Sequence, residues 1–458
     1  MAKYKAYPEY KDSGVEWLGE LPAHWTTLAI KHVAQLNPSK SSISVEKMKG
    51  MCSFIPMEKL KFNSLCLDEI KDVTDVYNGY TYFENEDILI AKVTPCFENK
   101  NMVVAHDLNN GIGFGSSEIY VLRCNDIINN NFLFYRLQED NFMSIAEGAM
   151  TGAGGLKRVP SEVLNNFKFG LPSKKEQSII VDFLDHETTK IDNMIEKQQQ
   201  LIELLKEKRQ AVISHAVTKG LNSDAPMKDS GVEWLGEVPE HWVPIQLGKV
   251  CYQVSDGPHF SPNYVDSGVL FISARNIKVN GWSLDDAKYI TEKDYNEFSK
   301  RVIPEIGDVL YTKGGTTGIA RTVDIEDKFQ VWVHVAVLKI LKEKAVPDFI
   351  AYSLNGTSCY AQSQLYTQGA TNNDLGLTRL IKIWLALPPK NEQQEIVDAL
   401  NSITKKYDVV TDNAMTAITI LQERRAALIS AAVTGRIDVR DWVAPDTQGT
   451  EESQEATA

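Results

Sequence analysis

No stretch of this 458-residue chain stays apolar for anything near the ~18 residues that a membrane span needs. No transmembrane helix is therefore expected. The start, MAKYKAYPEYKDSG, lacks an apolar core and does not read as a secretory signal. Cysteine is sparse and scattered: Cys52, Cys66, Cys96, Cys124, Cys251 and Cys359 form no C-x-x-C pair. That speaks against a zinc site or a disulfide framework, and a reducing cytoplasm is the expected compartment. The usual catalytic signatures are missing as well. Gly314-Gly-Thr-Thr-Gly318 lacks the lysine and hydroxyl of a phosphate loop, and Gly111-Ile-Gly-Phe-Gly115 has the wrong spacing for a dinucleotide site. There is no H-E-x-x-H and no G-x-S-x-G. Asn37-Pro38 is not followed by the proline and aromatic of an amino-methyltransferase site. Pro347-Asp348 lacks the E-x-K of a common nuclease core. A non-catalytic chain is expected, with no cofactor or metal of its own. Positive charge is short too: 48 Lys and Arg against 61 Asp and Glu leave a net charge of −13. Taken alone, that argues against nucleic acid as a partner, although a basic face can coexist with an acidic back and tail.

What the chain does have is one stretch used twice. Residues 11–25 read KDSGVEWLGELPAHW and residues 228–242 read KDSGVEWLGEVPEHW, differing only at Leu21/Val238 and Ala23/Glu240. An offset of 217 residues is far too long for a solenoid or propeller and implies two copies of a whole domain. The length suits two to four domains.

Taken in order, residues 1–10 read as a loose lead-in and 1–25 as the first opener, anchored by Trp17 and Trp25. Residues 26–172 alternate short strand-like runs with Gly/Asn/Asp turns. Examples are Asp87–Lys92, Met102–Ala105 and Glu118–Leu122, with one helix expected over Asn130–Glu147 and a flexible loop at Gly148–Gly155. Residues 173–221 form a helical spacer: a short helix over 174–187, then a long one over Thr188–Val217. The long helix spaces Ile191, Ile195, Gln198, Ile202, Leu205, Arg209, Val212 and Ala216 by alternating fours and threes, the seam of a coiled coil. The unit then repeats as a second opener (222–242), a second α+β domain (243–387) and a second spacer (388–442), with seam positions Val410, Ala414, Ala417, Leu421, Arg424, Leu428 and Ala431. Residues 443–458 are polar, acidic and expected to be disordered. The openers and the helical ends match; the interiors do not. The class expected is α+β, with two similar globular domains separated by long antiparallel coiled-coil helices in a pseudo-twofold internal repeat.

Candidate binding residues sit in the divergent interiors. Two strands end in lysine followed by a small polar loop and a second cation. The first offers Lys92, Thr94, Asn99 and Lys100, the second Lys313, Thr316, Thr317 and Arg321. Lysine and arginine reach phosphates, while Thr and Asn can read base edges. The same pattern also suits an ordinary hairpin with a solvated lysine. Two glycine-rich stretches close each domain on a cation: Gly152–Arg158, with Lys157 and Arg158, and Gly369–Arg379, with Arg379. Arg275-Asn276 pairs side chains suited to guanine and adenine, or to a salt bridge.

The pattern as a whole resembles the DNA-specificity subunit of Type I restriction–modification systems. The resemblance rests on V-E-W-L-G-E-x-P-x-H-W in both openers and on the L-P-x-x-x-E-Q helix starts (Leu171 to Gln177, Leu387 to Gln393). The K/R-R-x-x-x-I-S-x-A-V-T helix ends and the strand–loop at 313–318 add to it. It covers nearly all of residues 11–440. The first copy departs from it with Val93-Thr-Pro-Cys where the second has glycines. The resemblance implies two target-recognition domains, each reading half of an asymmetric bipartite site on double-stranded DNA. It also implies helices that space them and dock two modification (methyltransferase) subunits, joined by two restriction subunits. S-adenosylmethionine, ATP and Mg would be used by those partners, with no membrane involved.

A helix of about 30 residues spans roughly 45 Å, or about 13 base pairs between half-site centres. Two other readings share parts of this pattern. One is the recognition subunit of a combined restriction–modification enzyme. The other is a coiled-coil adaptor that binds no DNA. Trp17 and Trp234 should be buried in equivalent places if the two copies share one frame.

Overall fold

The computed structural model describes residues 4–153, 155–367 and 374–445. The tail expected to be disordered lies outside the described residues from 446 onward, as does the Gly369–Asn373 part of the second glycine-rich stretch. Two compact units emerge. The first takes the chain up to Lys197 and again from Thr416; the second is Gln198–Met415.

In the first unit, an antiparallel sheet orders its strands Met102–Val104, Ile88–Ala91, Ile119–Cys124, Ala34–Leu36. In the second unit the same order recurs as Ala320–Thr322, Val309–Thr312, Val335–Ile340, Cys251–Asp256. A second sheet in each unit contains one parallel pair. It joins Met51–Ile55 to Ile112–Gly115 in one and Val269–Ile272 to Phe329–Val331 in the other. The interiors that look unrelated in sequence therefore share the order of one sheet and the parallel pair of the other, while the edges of the second sheet differ. A buried ion pair marks the equivalence. Asp87 accepts from Arg123 at 2.7 Å and from the Glu84 amide at 2.7 Å. Its counterpart Asp308 pairs with Lys339 at 2.7 Å and accepts from the Glu305 amide at 2.7 Å. Desolvation pushes both carboxyls up, against the pull of their cations.

Each α+β interior is tied off by a two-stranded clasp, Thr26–Ala29 with Lys168–Leu171 and Val243–Gln246 with Trp384–Leu387. The closing bond is the same in both: Ile30 N–H to Phe167 C=O at 3.0 Å, and Leu247 N–H to Ile383 C=O at 2.8 Å. From each clasp the chain enters a long helix, Lys174–Lys219 or Lys390–Val433. Each is a single helix, where the sequence suggested a short one followed by a longer one. No proline or glycine interrupts 174–187, and its apolar face (Ile180, Val181, Phe183, Leu184) is buried in the domain core, so the helix continues unbroken. The helix expected over Asn130–Glu147 divides instead into Asn130–Leu137 and Asp140–Gly148.

Along the first long helix, Ile191 and Ile202 are buried and Ile195, Gln198, Leu205, Arg209 and Val212 are half-buried. Along the second, Ala414 is buried and Leu421 and Leu428 half-buried, but Val410 and Arg424 are exposed. Thr411 and Arg425 stand at the seam in their place. The helix starts lie 216 residues apart, Glu176 to Glu392, and that offset carries Ile195 to Thr411 and Arg209 to Arg425; the apolar side chain of Val410 stands one position away.

The openers pack on the helix ends. In the first unit Tyr10 donates to the Gly435 carbonyl at 3.0 Å, and Trp25 and Leu21 share a core with Ile429, Ala432 and Val433. Gly435 has positive φ, and a Cβ there would meet Pro22 at 2.5 Å. In the second unit Val238 and Trp242 pack with Ile213, Ala216 and Val217. Trp25 and Trp242 are fully buried, whereas Trp17 and Trp234 are both half-buried. The copies thus agree, with the second tryptophan of each opener as the anchor. Trp17 is stacked on Phe167 rather than enclosed. The lead-in is also less loose than its sequence suggests, because Tyr7 is buried against Trp25.

One carboxylate holds each opener to its helix. Glu176 accepts from Trp25 Nε1 at 3.0 Å and from Tyr7 Oη at 2.7 Å, and meets His24 Nε2 at 2.9 Å. Glu392 does the same for Trp242 Nε1 at 3.1 Å and His241 Nε2 at 2.7 Å. The next residue is a buried glutamine. Gln177 accepts from the Asn129 amide and donates to the carbonyls of Ile127 and Pro172. Gln393 bonds Val346, Lys344 and Pro388 in the same way. This explains why E-Q repeats. Removing a carboxylate strands its buried donors at ~1–3 kcal/mol each. Urea unfolding should show Glu176→Ala costing roughly 3 kcal/mol. Glu392→Ala should cost less, because the Tyr7 bond has no counterpart there. Equal or negligible losses would refute this ranking.

Candidate nucleic-acid interface

In the first unit the cations gather beside an exposed hairpin, Thr151–Ala153 with Leu156–Arg158. Its base is sewn to the loop after Ala91. The Thr94 amide bonds the Lys157 carbonyl at 3.1 Å, the Lys157 amide bonds Thr94 Oγ1 at 3.0 Å, and the Val159 amide bonds the Lys92 carbonyl at 2.9 Å. Lys92, Thr94, Lys157 and Arg158 are thereby brought together. Glu118 is the acid at their centre. Arg158 grips it through two bonds, at 2.9 and 2.6 Å, and Lys92 stands 3.8 Å away, over the Tyr120 ring. The Arg158 hydrogen bonds hold the Glu118 carboxyl below its usual range. Lys157 remains exposed.

In the second unit a cleft of about 370 Å³ opens between the two sheets. It is lined by Arg275, Lys288, Gly314, Gly315, Thr316 and His334, with Tyr264, Phe271 and Trp332. Arg275 is exposed and only 3.7 Å from Asp286 at its nearest approach. Thr316 is exposed. Cationic and aromatic side chains around the exposed Gly315 backbone suit a phosphate backbone and planar base edges. Lys288, His334, Tyr264 and Trp332 were not picked out from the sequence. The run Val331-Trp-Val-His334, ending a buried strand with an aromatic and a histidine, was the signal available.

Lys313, Asn276 and Thr317, expected as contacts, are buried instead. Lys313 is not offered to a phosphate. It is 3% exposed and paired with Asp256 at 3.3 Å and Asp374 at 3.1 Å. Both acids come from distant parts of the chain, so a lysine beside glycines read as solvated. Asn276 is buried and closes a capping box with Ser273, its amide donating to the Ser283 carbonyl at 2.8 Å. Thr317 is buried, and Arg379 donates to the Asp374 carbonyl at 3.0 Å. Asn99 and Lys100 line a cavity with Phe62 and Arg425, and Arg321 lines a different one from Arg275. Among the described residues no His/Cys/Asp/Glu group could hold a metal, and no helix is long and apolar enough to cross a membrane.

The family model of the Type I restriction modification DNA specificity domain matches residues 22–205 and 239–414. The chain belongs to this family. The two matches correspond to the two copies described above. Among curated relatives, the specificity subunit of the Type I restriction enzyme EcoAI of Escherichia coli is 36% identical over 213 residues. That is 44% of this chain and 35% of the relative. The EcoBI specificity subunit, also of Escherichia coli, is 24% identical over 346 residues, 72% of this chain and 71% of the relative. The chain thus spans about a third of the first relative's length. A solved chain from a study of assembly and conformational transition of the type I R-M system aligns with a TM-score of 0.72 at 15% identity. It covers 91% of this chain and 99% of that one. The HsdS subunit of Thermoanaerobacter tengcongensis aligns at 0.51 and 15% identity, over 91% and 98%. At such identities these structures speak for the fold.

Two substitutions separate structural from binding cations. Lys288→Ala should weaken DNA binding for all sequences and lower the salt slope by about one. Lys313→Ala should cost roughly 1–3 kcal/mol of stability by removing a buried cation from Asp256, which keeps only Arg301 at the surface side. A K313A protein of wild-type stability, or an unchanged slope for K288A, would contradict the assignment.

Proposed function

We propose that this chain is the sequence-specific DNA-binding subunit of a Type I restriction–modification complex. Each α+β domain reads one half of a bipartite duplex target. The observation behind this reading is the contrast between constant frame and variable interior. The Glu176 and Glu392 clasps are alike. The surfaces are not: the places held by Glu118 and Arg158 in the first unit are held by His334 and Asp374 in the second. Two unlike readers on like frames make an asymmetric target. The chain itself is non-catalytic. Two methyltransferase subunits dock on the helices, two restriction subunits join them, and S-adenosylmethionine, ATP and Mg act there, in the cytoplasm. A net charge of −13 is compatible with this reading, because those subunits also face the duplex.

A methylome of the host with and without this gene tests the proposal. One bipartite, non-palindromic methylated motif should vanish on deletion. An unchanged methylome in a host that carries the methyltransferase partner would overturn it.

A further inference from the structure

The seam arginines Arg209 and Arg425 are related by the repeat offset of 216, as are Asp192 and Asp408. Within the first unit Arg425 Nε donates to Asp192 at 2.8 Å. Within the second, Arg209 donates to Asp408. Each bridge joins the two long helices, with the roles of the helices exchanged between copies. Both arginines are mostly buried although their acids are open: 15% and 16% exposed, against 50% and 43%.

A small hairpin from the recognition domain reaches each bridge. In the first unit it is Leu60–Leu65, and Phe62 at its tip lies under Arg425, 5.3 Å from ring centre to guanidinium. In the second it is Ile277–Trp282, and Asn280 at its tip donates to Asp408 at 3.3 Å. The chemistry differs but the place is the same. Each hairpin is tied to an edge strand of its domain. The Asn63 amide bonds the Met102 carbonyl at 2.9 Å, and Trp282 lies 5.0 Å from the Arg321 guanidinium. Beside each bridge lies a cavity, of about 310 Å³ in the first unit and 480 Å³ in the second. Its second cation, Lys100 or Arg321, is neutralised by Asp140 at 3.2 Å or Asp324 at 3.0 Å. With every cation matched by an acid, these cavities are ill suited to phosphate.

We propose that the two hairpins are struts, and that Arg425 and Arg209 are positioning residues. They fix the angle at which each reader stands on the helix pair, and so how strictly the complex measures the gap between half-sites. The bridge forms only when both helices are in register, so it couples that register to the reader. This inference rests on the DNA-binding reading above.

The test uses the full chain assembled with its methyltransferase subunits and duplexes carrying both half-sites with the native gap, one base pair more, or one fewer. Binding by the wild-type complex should favour the native gap; if it binds no bipartite duplex, the DNA-binding reading itself fails. Arg425→Lys keeps the charge but loses the planar stack. Phe62→Ala and Asn280→Ala change only hairpin tips and should leave the fold intact, which thermal unfolding checks. In these variants the preference for the native gap should fall by about fivefold, the size of one lost coupling between touching groups. The preferred bases of each half-site should stay the same. Folded variants with wild-type gap preference would overturn the strut. So would variants whose base preference changes instead, which would make the hairpins readers.

Discussion

A carboxylate in the first turn of each long helix organises this protein. Glu176 and Glu392 each receive the indole N–H of a fully buried tryptophan and the ring nitrogen of the histidine beside it. A buried indole without a partner is costly, so the opener can settle in only one place. The neighbouring glutamines satisfy three backbone groups each, fixing the domain against the same turn. Four side chains per copy thus join opener, recognition domain and helix. The openers can change little, because their residues answer to one another across about 150 positions of chain.

Inside that frame the constraint is looser. The strand order, the parallel pair and the buried Asp87–Arg123 and Asp308–Lys339 pairs persist. Surface residues at matching places have diverged in charge and size. The closing bonds from Ile30 to Phe167 and from Leu247 to Ile383 mark where constancy gives way to divergence. A fold that separates its fixed bonds from its variable surface can change that surface without relearning how to fold.

The frame was legible in sequence because it is written twice. The duplicated openers and the E-Q starts follow from repeat offsets of 217 and 216 residues, and the seam of the first helix from local spacing. The strands Ile88–Ala91, Met102–Val104 and Val309–Thr312 were also visible as short apolar runs bounded by turns. The common topology of the interiors was not, since sheet order depends on long-range pairing that composition does not record. Burial of the candidate cations was hidden for a similar reason. Lys313 meets acids from positions 256 and 374, and Asn276 is consumed by a capping box with Ser283 behind it. Lys288 and His334 belong to one cleft only because strands far apart in sequence lie side by side. At Val410 the apolar side chain and the repeat offset point to different positions, and the seam follows the offset to Thr411.

On the proposed function, a constant frame presents interchangeable readers. Replacing residues 247–383 by residues 30–167 keeps both clasps, both openers and both helices, and tests it most directly. The methylated motif produced by this chimera should contain the first half-site twice, with the second half-site gone. A folded chimera that still yields the original asymmetric motif would contradict the account.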